Sequence, residues 1–412
     1  MQNCLRIFLL LGWKFYIKAM NLTIRKKGIL PVQQLKQLVS YGVIRTDAAY
    51  PFEDEQFQPN SIDLRLGRVA YRVRCGFLPE NETVEAKINK LCQHEFSIEE
   101  GGVLEPNCTY IIPLLEHLIL PETTSQTYAL TDGSGGEFAL ETESRISART
   151  NPKSTTGRLD IFTRLVTDYS HRFEEIAPGY KGPLFLEVVP KSFPIRVQTG
   201  QKLNQLRLRH GNTRLSDEEV RAAHARTPIL FGEGGEAIAD ADLKLGNGLF
   251  MSVDLQGGED GLIGYRARKN RAVIDLSLIG YYDPFSFWEP IYAQREDFII
   301  LEPEAFYIFA SKERCRIPDH LAGEMVPYDT GSGELRTHYA GFFDSGFGAN
   351  PGGARAVLEV RSHDVPFLVE DGQTFFSMVF ESNTALPETS YGSGVVSNYQ
   401  GQNLKLSKHF KP

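Results

Sequence analysis

The sequence predicts a mostly β protein built from two tandem copies of one domain, with a few short helices. One strand-turn-strand phrase occurs twice, from Leu186-Glu187-Val188 to Gly200-Gln201 and from Leu358-Glu359-Val360 to Gly372-Gln373. Both copies run 15 positions from Leu to Gln, since 201 − 186 equals 373 − 358. The 37 Gly and 22 Pro residues are spread along the chain and indicate frequent turns, which is typical of β-rich folds. A repeat of this kind indicates a duplicated structural unit.

Length and charge limit the class of protein. A chain of 412 residues is long enough for two domains of ordinary size, and 42% hydrophobic with 23% charged residues is a globular composition. The net charge of −8 argues against a general nucleic-acid-binding surface, because a phosphate backbone requires a basic field. A nucleotide-sized anion could still be held by a few local Lys and Arg side chains.

Cysteine spacing and hydropathy predict a cytoplasmic protein that does not cross a membrane. The cysteines are scattered, and no two have the CxxC spacing of a zinc ribbon or a redox site; they are Cys4, Cys75, Cys92, Cys108 and Cys315. Such a set is expected to be reduced. No apolar stretch reaches the length of a transmembrane helix, and the apolar run from Ile7 to Trp13 lacks a small-residue cleavage site after it.

The order of elements predicts five segments. Residues 1–27 are expected to be an N-terminal extension, disordered or a loose helix, and residues 28–210 a first β domain that opens with a helix near 31–43. Residues 211–247 are expected to form a helical linker, because Ser216 precedes three acidic residues as an N-cap. The β pattern resumes over 248–385 as a second domain. Residues 386–412 form a C-terminal tail.

The repeat extends beyond the opening phrase, with matches in the same order in both copies. Leu104-Glu105-Pro106 recurs as Leu301-Glu302-Pro303, and Ser61-Ile62-Asp63-Leu64 has an echo in Ser252-Val253-Asp254-Leu255. The offset between copies falls from 197 (301 − 104) to 172 (358 − 186), so the first copy carries about 25 extra residues between those points. Duplication is therefore expected along most of the chain.

The extra interval of the first copy contains a candidate phosphate-binding loop, Asn151 to Arg158. Lys153, Ser154, Thr155 and Arg158 supply cationic and hydroxyl groups within a short loop, which is what a polyphosphate needs. The order of a P-loop is absent. From this segment alone, a polar turn between strands remains the alternative.

Taken together, the loop, the following glycine hairpin and the Leu-Glu strand resemble the dCTP deaminase branch of the dUTPase-like family, in its two-copy bacterial form. Lys153, Ser154, Thr155 and Arg158 match the family's arginine-serine-serine…arginine motif, and the hairpin from Ala177 to Gly182 matches its Asp-Pro-Gly-aromatic-x-Gly motif. Glu187 matches the catalytic glutamate. The resemblance covers about residues 28–412 and implies tandem antiparallel β-barrel or jelly-roll domains.

The second copy and the tail also carry family motifs. The segment from Ala340 to Phe347 resembles the same hairpin and includes Asp344, and Glu359 matches the glutamate. Tyr399, Gln400 and Gln402 resemble the family's C-terminal segment, which folds over the nucleotide. The copies depart from the pattern in different places: the first has Ala177 where the family has the hairpin aspartate, and the second lacks the hydroxyl-rich loop.

The resemblance implies hydrolysis of dCTP to dUTP and ammonia without zinc, by a water that a glutamate activates. The sequence lacks the HxE…PCxxC signature of zinc deaminases. Glu187 is the expected base, with Ser154 and Arg158 orienting the water. The expected substrate-binding residues are Lys153, Thr155, Gly179, Tyr180, Gly182, Ala340, Asp344, Glu359, Tyr399, Gln400 and Gln402. Mg²⁺ is expected to arrive with the triphosphate.

Two questions stay open at the level of sequence. Family members are trimers of barrels, so a trimer of two-domain chains with one ring for each copy favours Glu187 within its own ring; the alternative is a composite site that uses Asp344 and Glu359. The alternatives in function are a dUTPase, a bifunctional enzyme that forms dUMP, or a non-catalytic protein that binds a nucleotide such as dUTP or dTTP.

Overall fold

The computed structural model describes residues 22–129, 136–327, 335–337, 341–362, 365–392, 399 and 403–412. Over these ranges the chain is mostly β, which confirms the predicted fold class. The helices are α1 (Val32–Ser40), α2 (Val84–Leu91), α3 (Ser154–Gly157), α4 (Asp217–Arg226) and α5 (Pro284–Phe287). Of these helices, none is long and apolar enough to cross a membrane.

The first half forms two main antiparallel sheets around one core. Its strands are β1 (Leu22–Ile24), β2 (Gly28–Ile29), β3 (Ile44–Thr46), β4 (Ile62–Arg65), β5 (Val69–Val73), β6 (Cys92–Ser97), β7 (Gly102–Leu104), β8 (Thr109–Ile119), β9 (Ser125–Ala129), β10 (Glu137–Thr142), β11 (Ile146–Pro152), β12 (Ile161–Val166), β13 (Glu175–Ile176), β14 (Lys181–Pro190), β15 (Ile195–Val197) and β16 (Lys202–His210). One sheet has the order β12-β14-β8-β5-β6, and the other has β13-β11-β16-β2 with β4 also paired to β16. Leu186 and Ile112 of the first sheet pack in one cluster with Leu206 and Ile62 of the second.

The second half repeats this plan. Its strands are β17 (Leu230–Phe231), β18 (Leu249–Ser252), β19 (Leu262–Ala267), β20 (Ile274–Asp275), β21 (Trp288–Tyr292), β22 (Phe298–Leu301), β23 (Phe306–Cys315), β24 (Leu321–Pro327), β25 (Leu335–Thr337), β26 (Gly341–Phe343), β27 (Ala354–Ser362), β28 (Phe367–Glu370) and β29 (Thr374–Ser382). The sheets run β21-β19-β23-β27-β25 and β18-β29-β24-β26. In the larger sheet, β25-β27-β23-β19-β21 corresponds in order to β12-β14-β8-β5-β6 of the first half.

The register of the repeat is also preserved. Glu187 of β14 lies opposite Ile111 of β8, and Glu359 of β27 lies opposite Ile308 of β23. These pairs are related by the two offsets of the sequence repeat, 172 (359 − 187) and 197 (308 − 111). The two glutamates therefore occupy equivalent places on equivalent strands, and any difference in their chemistry comes from what surrounds them.

Much of the repeated phrase serves turn geometry. The side chain of Gln201 accepts a hydrogen bond from the Gln198 amide (2.9 Å), and that of Gln373 accepts one from the Glu370 amide (3.0 Å). The two Leu-Glu-Pro segments are likewise fixed by tyrosine hydroxyls that accept from the Glu105 and Glu302 amides. The side-chain to backbone bonds fix both tight turns, so most of the repeat reflects folding.

Helices α1 and α4 form where the sequence predicts helices. Val32, Leu35 and Leu38 form the buried face of α1. Helix α4 begins after Ser216, whose side chain accepts from the Glu219 amide in a capping box. Part of the predicted N-terminal extension is folded: Leu22–Ile24 forms strand β1, which pairs in parallel with β10. Leu22 and Ile24 are buried in the core of the first half.

The halves pack closely against each other. Strand β20 of the second half adds in parallel to β15 of the first, and Arg196 pairs with Asp275 (2.9 Å). Trp288, Phe306 and Phe410 from beyond the linker belong to the same apolar cluster as the first-half core. This packing brings the loop of the first copy towards strand β27 of the second.

Candidate active site

The candidate phosphate loop is a single helical turn, α3, that rests on strand β16. The Lys153 amide and the Thr156 hydroxyl both donate to the Leu203 carbonyl (3.0 and 2.8 Å). The Lys153 ammonium forms an ion pair with Asp63 of β4, which is buried. These contacts hold Ser154 and Thr155 at the wall of a cavity.

The hairpin of the second copy faces this loop. Asp344 is buried and accepts a hydrogen bond from Arg207 of the first half (2.9 Å). The Arg207 guanidinium also lies 4.0 Å from the centre of the Phe342 ring and donates to the Gly323 carbonyl (3.0 Å). Burial raises the pKa of Asp344, and the charge of Arg207 opposes that rise. Because Arg207 belongs to β16, the strand that carries the loop also orients the opposite hairpin.

Between loop and hairpin lies a cavity of about 780 Å³, a size typical of small-molecule sites. Both halves and the tail line it. The polar and charged groups of its wall include Asp63, Lys153, Ser154, Thr155, Arg158, Lys202, Gln205, Asp344, Glu359, Lys408 and His409, and its apolar groups include Leu276, Met325, Phe342, Phe347 and Val357. The structure thus combines the loop of the first copy with the hairpin of the second.

Glu359 lies deep in this cavity, against the backbone of the loop. A Cβ atom placed on Gly157 would be 2.5 Å from a Glu359 carboxylate oxygen, so a larger residue there would displace that carboxylate. The side chain is half-buried because it faces the cavity, and none of the described residues donates a hydrogen bond to its carboxylate. Burial raises the pKa of Glu359 to about 8, with Arg158 opposing and Asp160 reinforcing the rise. A carboxylate of this kind is suited to proton transfer near neutral pH.

Arg158 joins the loop to the C-terminal tail. Its guanidinium lies 3.9 Å from the centre of the Tyr399 ring and donates to the Lys405 carbonyl (2.8 Å). The Tyr399 and Thr155 hydroxyls are hydrogen-bonded to each other (2.9 Å), and the Ser407 hydroxyl donates to the Thr155 carbonyl (3.1 Å). The tail therefore lies over the loop.

A buried ion pair fixes strand β27 relative to the loop. Arg361 pairs with Asp160, and its guanidinium also donates to the Ser192 hydroxyl (3.4 Å). Arg361 lies two positions after Glu359, and Asp160 lies two positions after Arg158. The pair holds the two elements in a relation that places Glu359 beside Gly157.

The structure does not bring Glu187 to the cavity. Its carboxylate is 1% exposed and accepts from Arg164 Nε (2.9 Å) and Nη2 (2.5 Å). Gly76 packs on the same carboxylate, and the segment that follows it forms α2, which packs on this face of the sheet with Val73, Val84 and Ile88. The position equivalent to that of Glu359 is closed in the first half by Arg164 and by the segment from Gly76 to α2.

The hairpin of the first copy is also outside the cavity. The Tyr180 hydroxyl donates to the Pro183 carbonyl (2.5 Å), and Gly182 packs beneath the Tyr180 ring. Gly179 has a φ of +82°, a left-handed conformation that favours glycine in this turn. These residues shape the hairpin, and no described contact links them to the loop.

Of the predicted site residues, the structure brings together Lys153, Ser154, Thr155, Arg158, Asp344, Glu359 and Tyr399. Ala340, Gln400 and Gln402 lie outside the described residues. Sequence reasoning did not identify Asp63, Gln205, Arg207 or Lys408. Asp63 lies in a segment where the two copies match only weakly. Arg207 belongs to no motif, and its role follows from its pairing with Asp344 of the second half.

Within the described ranges, there is no group of three or more His, Cys, Asp or Glu side chains that could hold a metal ion. Asp63 has one buried carboxylate oxygen without a hydrogen-bond partner among these residues. Such an oxygen fits the hydrated Mg²⁺ that a bound triphosphate carries, since Mg²⁺ keeps several waters and needs few protein ligands.

The fold and the site define a class. A duplicated antiparallel β domain, with a cavity that is lined by cationic side chains and by two carboxyl groups of raised pKa, is typical of a protein that binds and processes a small phosphorylated molecule. Models of the 2'-deoxycytidine 5'-triphosphate deaminase family match the chain with the N-terminal domain over residues 26–137 and 137–212 and the C-terminal domain over residues 216–410. The chain belongs to the dCTP deaminase family.

The individual proteins to which the chain is similar are named dCTP deaminases as well. The crystal structure of 2'-deoxycytidine 5'-triphosphate deaminase from Agrobacterium tumefaciens is 42% identical, covers 88% of this chain and 99% of that chain, and superposes with a TM-score of 0.77. The dCTP deaminase of Ignicoccus hospitalis is 23% identical over 166 residues, or 40% of this chain and 74% of that protein. The "dCTP deaminase, dUMP-forming" of Mycolicibacterium vanbaalenii is 35% identical over 107 residues, or 25% of this chain and 54% of that protein.

Proposed function

We propose that the chain hydrolyses dCTP to dUTP and ammonia in the cavity between its halves, with Glu359 as the base that activates water. One observation carries the assignment of the base: Glu359 faces the cavity beside the phosphate loop, without a described hydrogen-bond donor and with its pKa raised to about 8. Membership in the dCTP deaminase family supports the reaction.

The reaction balances with one water. The ionised Glu359 carboxylate removes a proton from water as the water oxygen attacks C4 of cytosine, and it passes that proton to N3, which receives the electron pair of the C4–N3 double bond. The carboxylate then takes the proton of the new C4 hydroxyl and gives it to the departing amino group, so that ammonia leaves and the C4 carbonyl of uracil forms. The Ser154 hydroxyl and the Arg158 guanidinium orient the water and stabilise the developing charge.

The remaining contacts bind the nucleotide. Lys153, Thr155 and Arg158 hold the triphosphate. The Asp63 carboxylate would hold the hydrated Mg²⁺ of the triphosphate, and this ion would neutralise part of the phosphate charge. The hairpin with Asp344 holds the pyrimidine, and Tyr399 covers the loop. Because the loop and the base belong to the same chain, this site needs no residue from a neighbouring copy.

A second candidate is a bifunctional enzyme that goes on to dUMP. Two curated relatives are named "dCTP deaminase, dUMP-forming", from Mycolicibacterium vanbaalenii and from a Sulfurihydrogenibium species that is 24% identical over 184 residues, or 43% of this chain and 81% of that protein. This reaction needs a second water aligned on the α-phosphate. The same cavity would have to serve both steps.

Incubation with dCTP and separately with dUTP, followed by product analysis, tests both candidates. Ammonia and dUTP from dCTP, with dUTP left intact, supports the proposed deamination. Pyrophosphate and dUMP from either nucleotide supports the bifunctional enzyme. Tight nucleotide binding without turnover would contradict both and support a non-catalytic protein.

The trimeric assembly that the resemblance implies stays a prediction. The proposed site does not depend on it, since its groups come from one chain. Sedimentation of the purified protein measures the assembly directly.

A further inference from the structure

A lysine of the C-terminal tail, Lys408, is held at the cavity wall by its neighbours on both sides. The Ser407 hydroxyl donates to the Thr155 carbonyl (3.1 Å), and the Lys408 carbonyl accepts from the Gly280 amide (2.9 Å). The neutral ring of His409, whose pKa burial lowers to about 4, contacts the Leu276 carbonyl (3.2 Å). Phe410 is buried in the core. These contacts fix the backbone while the half-buried Lys408 side chain lines the cavity.

Lys408 differs from the other lysines of this wall in its partners. Lys153 is paired with Asp63, and Lys202 is paired with Glu53 (2.8 Å). Among the described residues, no side chain or carbonyl accepts a hydrogen bond from the Lys408 ammonium. Burial and the charges of Lys153 and Lys202 lower the pKa of Lys408, and Asp63 opposes this. The ammonium therefore lacks the anion that its neighbours have.

A gathering of like charges beside a cavity favours an anionic ligand. Burial and the charges of Lys153 and Lys202 disfavour the charged form of Lys408 in the empty site. A ligand with several negative charges reverses the sign of this contribution. A polyphosphate fits this requirement, since each of its oxygens can accept from an ammonium group.

We infer that Lys408 is a phosphate-binding residue that holds the substrate's phosphate chain from the tail side of the cavity. The inference rests on the proposed function for the identity of the substrate. The lysine joins Lys153 and Arg158 of the loop, so that a triphosphate is held between the loop and the tail. A nucleoside without phosphates has no anionic group that could bind the Lys408 ammonium.

The test compares Lys408→Ala and Lys408→Arg with Lys411→Ala. Lys411 is exposed and in the same segment, so its replacement removes the same charge outside the cavity. Calorimetric titrations with inorganic tripolyphosphate, with dCTP and with deoxycytidine are carried out for each protein. We expect Lys408→Ala to weaken tripolyphosphate and dCTP binding roughly 10- to 100-fold, the effect of losing one charged hydrogen bond. Deoxycytidine binding stays unchanged, and Lys408→Arg restores most of the anion affinity.

In steady-state kinetics, we expect Lys408→Ala to raise KM for dCTP with little change in kcat, because the lost contact is made equally in the ground state and the transition state. Equal weakening of deoxycytidine and tripolyphosphate would overturn the inference, since it would indicate a structural role. An equal effect of Lys411→Ala would also overturn it, because general charge would then explain the result. Tripolyphosphate titration needs no turnover, so absence of ammonia release would contradict the proposed reaction and leave this test decisive.

Discussion

At the scale of single residues, two equivalent glutamates have acquired opposite environments. Glu187 and Glu359 occupy the same place in the repeated strands. Arg164 and the segment after Gly76 close the site around Glu187, whereas Glu359 faces an open cavity. Burial raises the pKa of both carboxyl groups, and Arg164 opposes that rise at Glu187. Of the two glutamates, only Glu359 faces the cavity.

The sequence could identify both glutamates but could not choose between them. Each stands in the same Leu-Glu-Val phrase after a glycine turn. The choice depends on Arg164, a strand residue without a motif, and on whether a neighbouring segment covers the carboxylate. Those facts are set by tertiary packing, which local patterns do not encode. The loop residues Ser154 and Arg158 were predicted because their chemistry is local.

The raised pKa of Glu359 predicts the pH dependence of the reaction. The carboxyl must be ionised to accept a proton, and its pKa of about 8 means that it is mostly protonated at lower pH. We expect kcat/KM for dCTP to rise with pH and to level off above about 8. Steady-state ammonia release from pH 6 to 9 measures this. A flat profile would contradict the role of Glu359, and Glu187→Gln, which leaves Glu359 in place, is expected to keep the same profile.

Gly157 provides a steric test of the contact between loop and base. A Cβ atom on Gly157 would lie within 2.5–2.8 Å of the Glu359 carboxylate atoms, so Gly157→Ala must displace the base or the loop. We expect kcat to fall roughly 100-fold, because misplacing a catalytic group by about 1 Å has an effect of that size. The matched control is Gly258→Ala, since its nearest neighbour would be 3.7 Å away. Similar activity of the two variants would contradict the geometry.

At the scale of elements, a one-turn helix, strand β27 and the tail assemble the site. Asp160 and Arg361 tie the loop to β27, and Tyr399 ties the tail to the loop. The sequence predicted the loop, the strand and a tail that covers the nucleotide. Their relative placement could not be predicted, because it depends on partners such as Arg207 and Asp344 that lie in different halves.

The contact of Tyr399 with the loop has two parts, one made by its ring and one by its hydroxyl. Tyr399→Phe removes the hydrogen bond to Thr155 and keeps the ring over Arg158, whereas Tyr399→Ala removes both. We expect KM for dCTP to rise roughly 5-fold in Tyr399→Phe, the size of one ordinary hydrogen bond. The rise is larger in Tyr399→Ala, because the Arg158 guanidinium also loses its aromatic partner. Steady-state kinetics on both variants measure this, and equal values of KM in wild type and Tyr399→Ala would contradict a role for the tail.

At the scale of the whole molecule, the candidate site takes its residues from both repeated halves. The first half supplies the candidate phosphate loop, while its own glutamate is bound by Arg164 away from the cavity. The second half supplies the hairpin aspartate and the glutamate that faces the cavity. The tandem fold was predictable from the repeat, since matching phrases recur in order. The composite site was the less favoured alternative at the sequence level, because the pairing of the halves within one chain has no local signal.

A composite site within one chain predicts the outcome of mixing two defective chains. Arg158→Ala removes a loop residue and Glu359→Gln removes the base, so each variant is expected to be inactive. Co-expressed chains that carry one change each should remain inactive, because every site takes its loop and its base from the same chain. Ammonia release by the purified mixture measures this. Recovery of activity would show that sites are shared between chains.

The central claim is that Glu359 and not Glu187 activates water, and separate Glu359→Gln and Glu187→Gln variants test it directly. Glutamine keeps the shape of each side chain and cannot accept the proton. We predict that ammonia release from dCTP falls roughly 10²- to 10⁴-fold in Glu359→Gln, the usual contribution of a general base. Glu187→Gln loses an ion pair to Arg164 and some stability, yet its folded fraction keeps kcat within about threefold of wild type. Full activity in Glu359→Gln, or loss of kcat in folded Glu187→Gln, would contradict the claim.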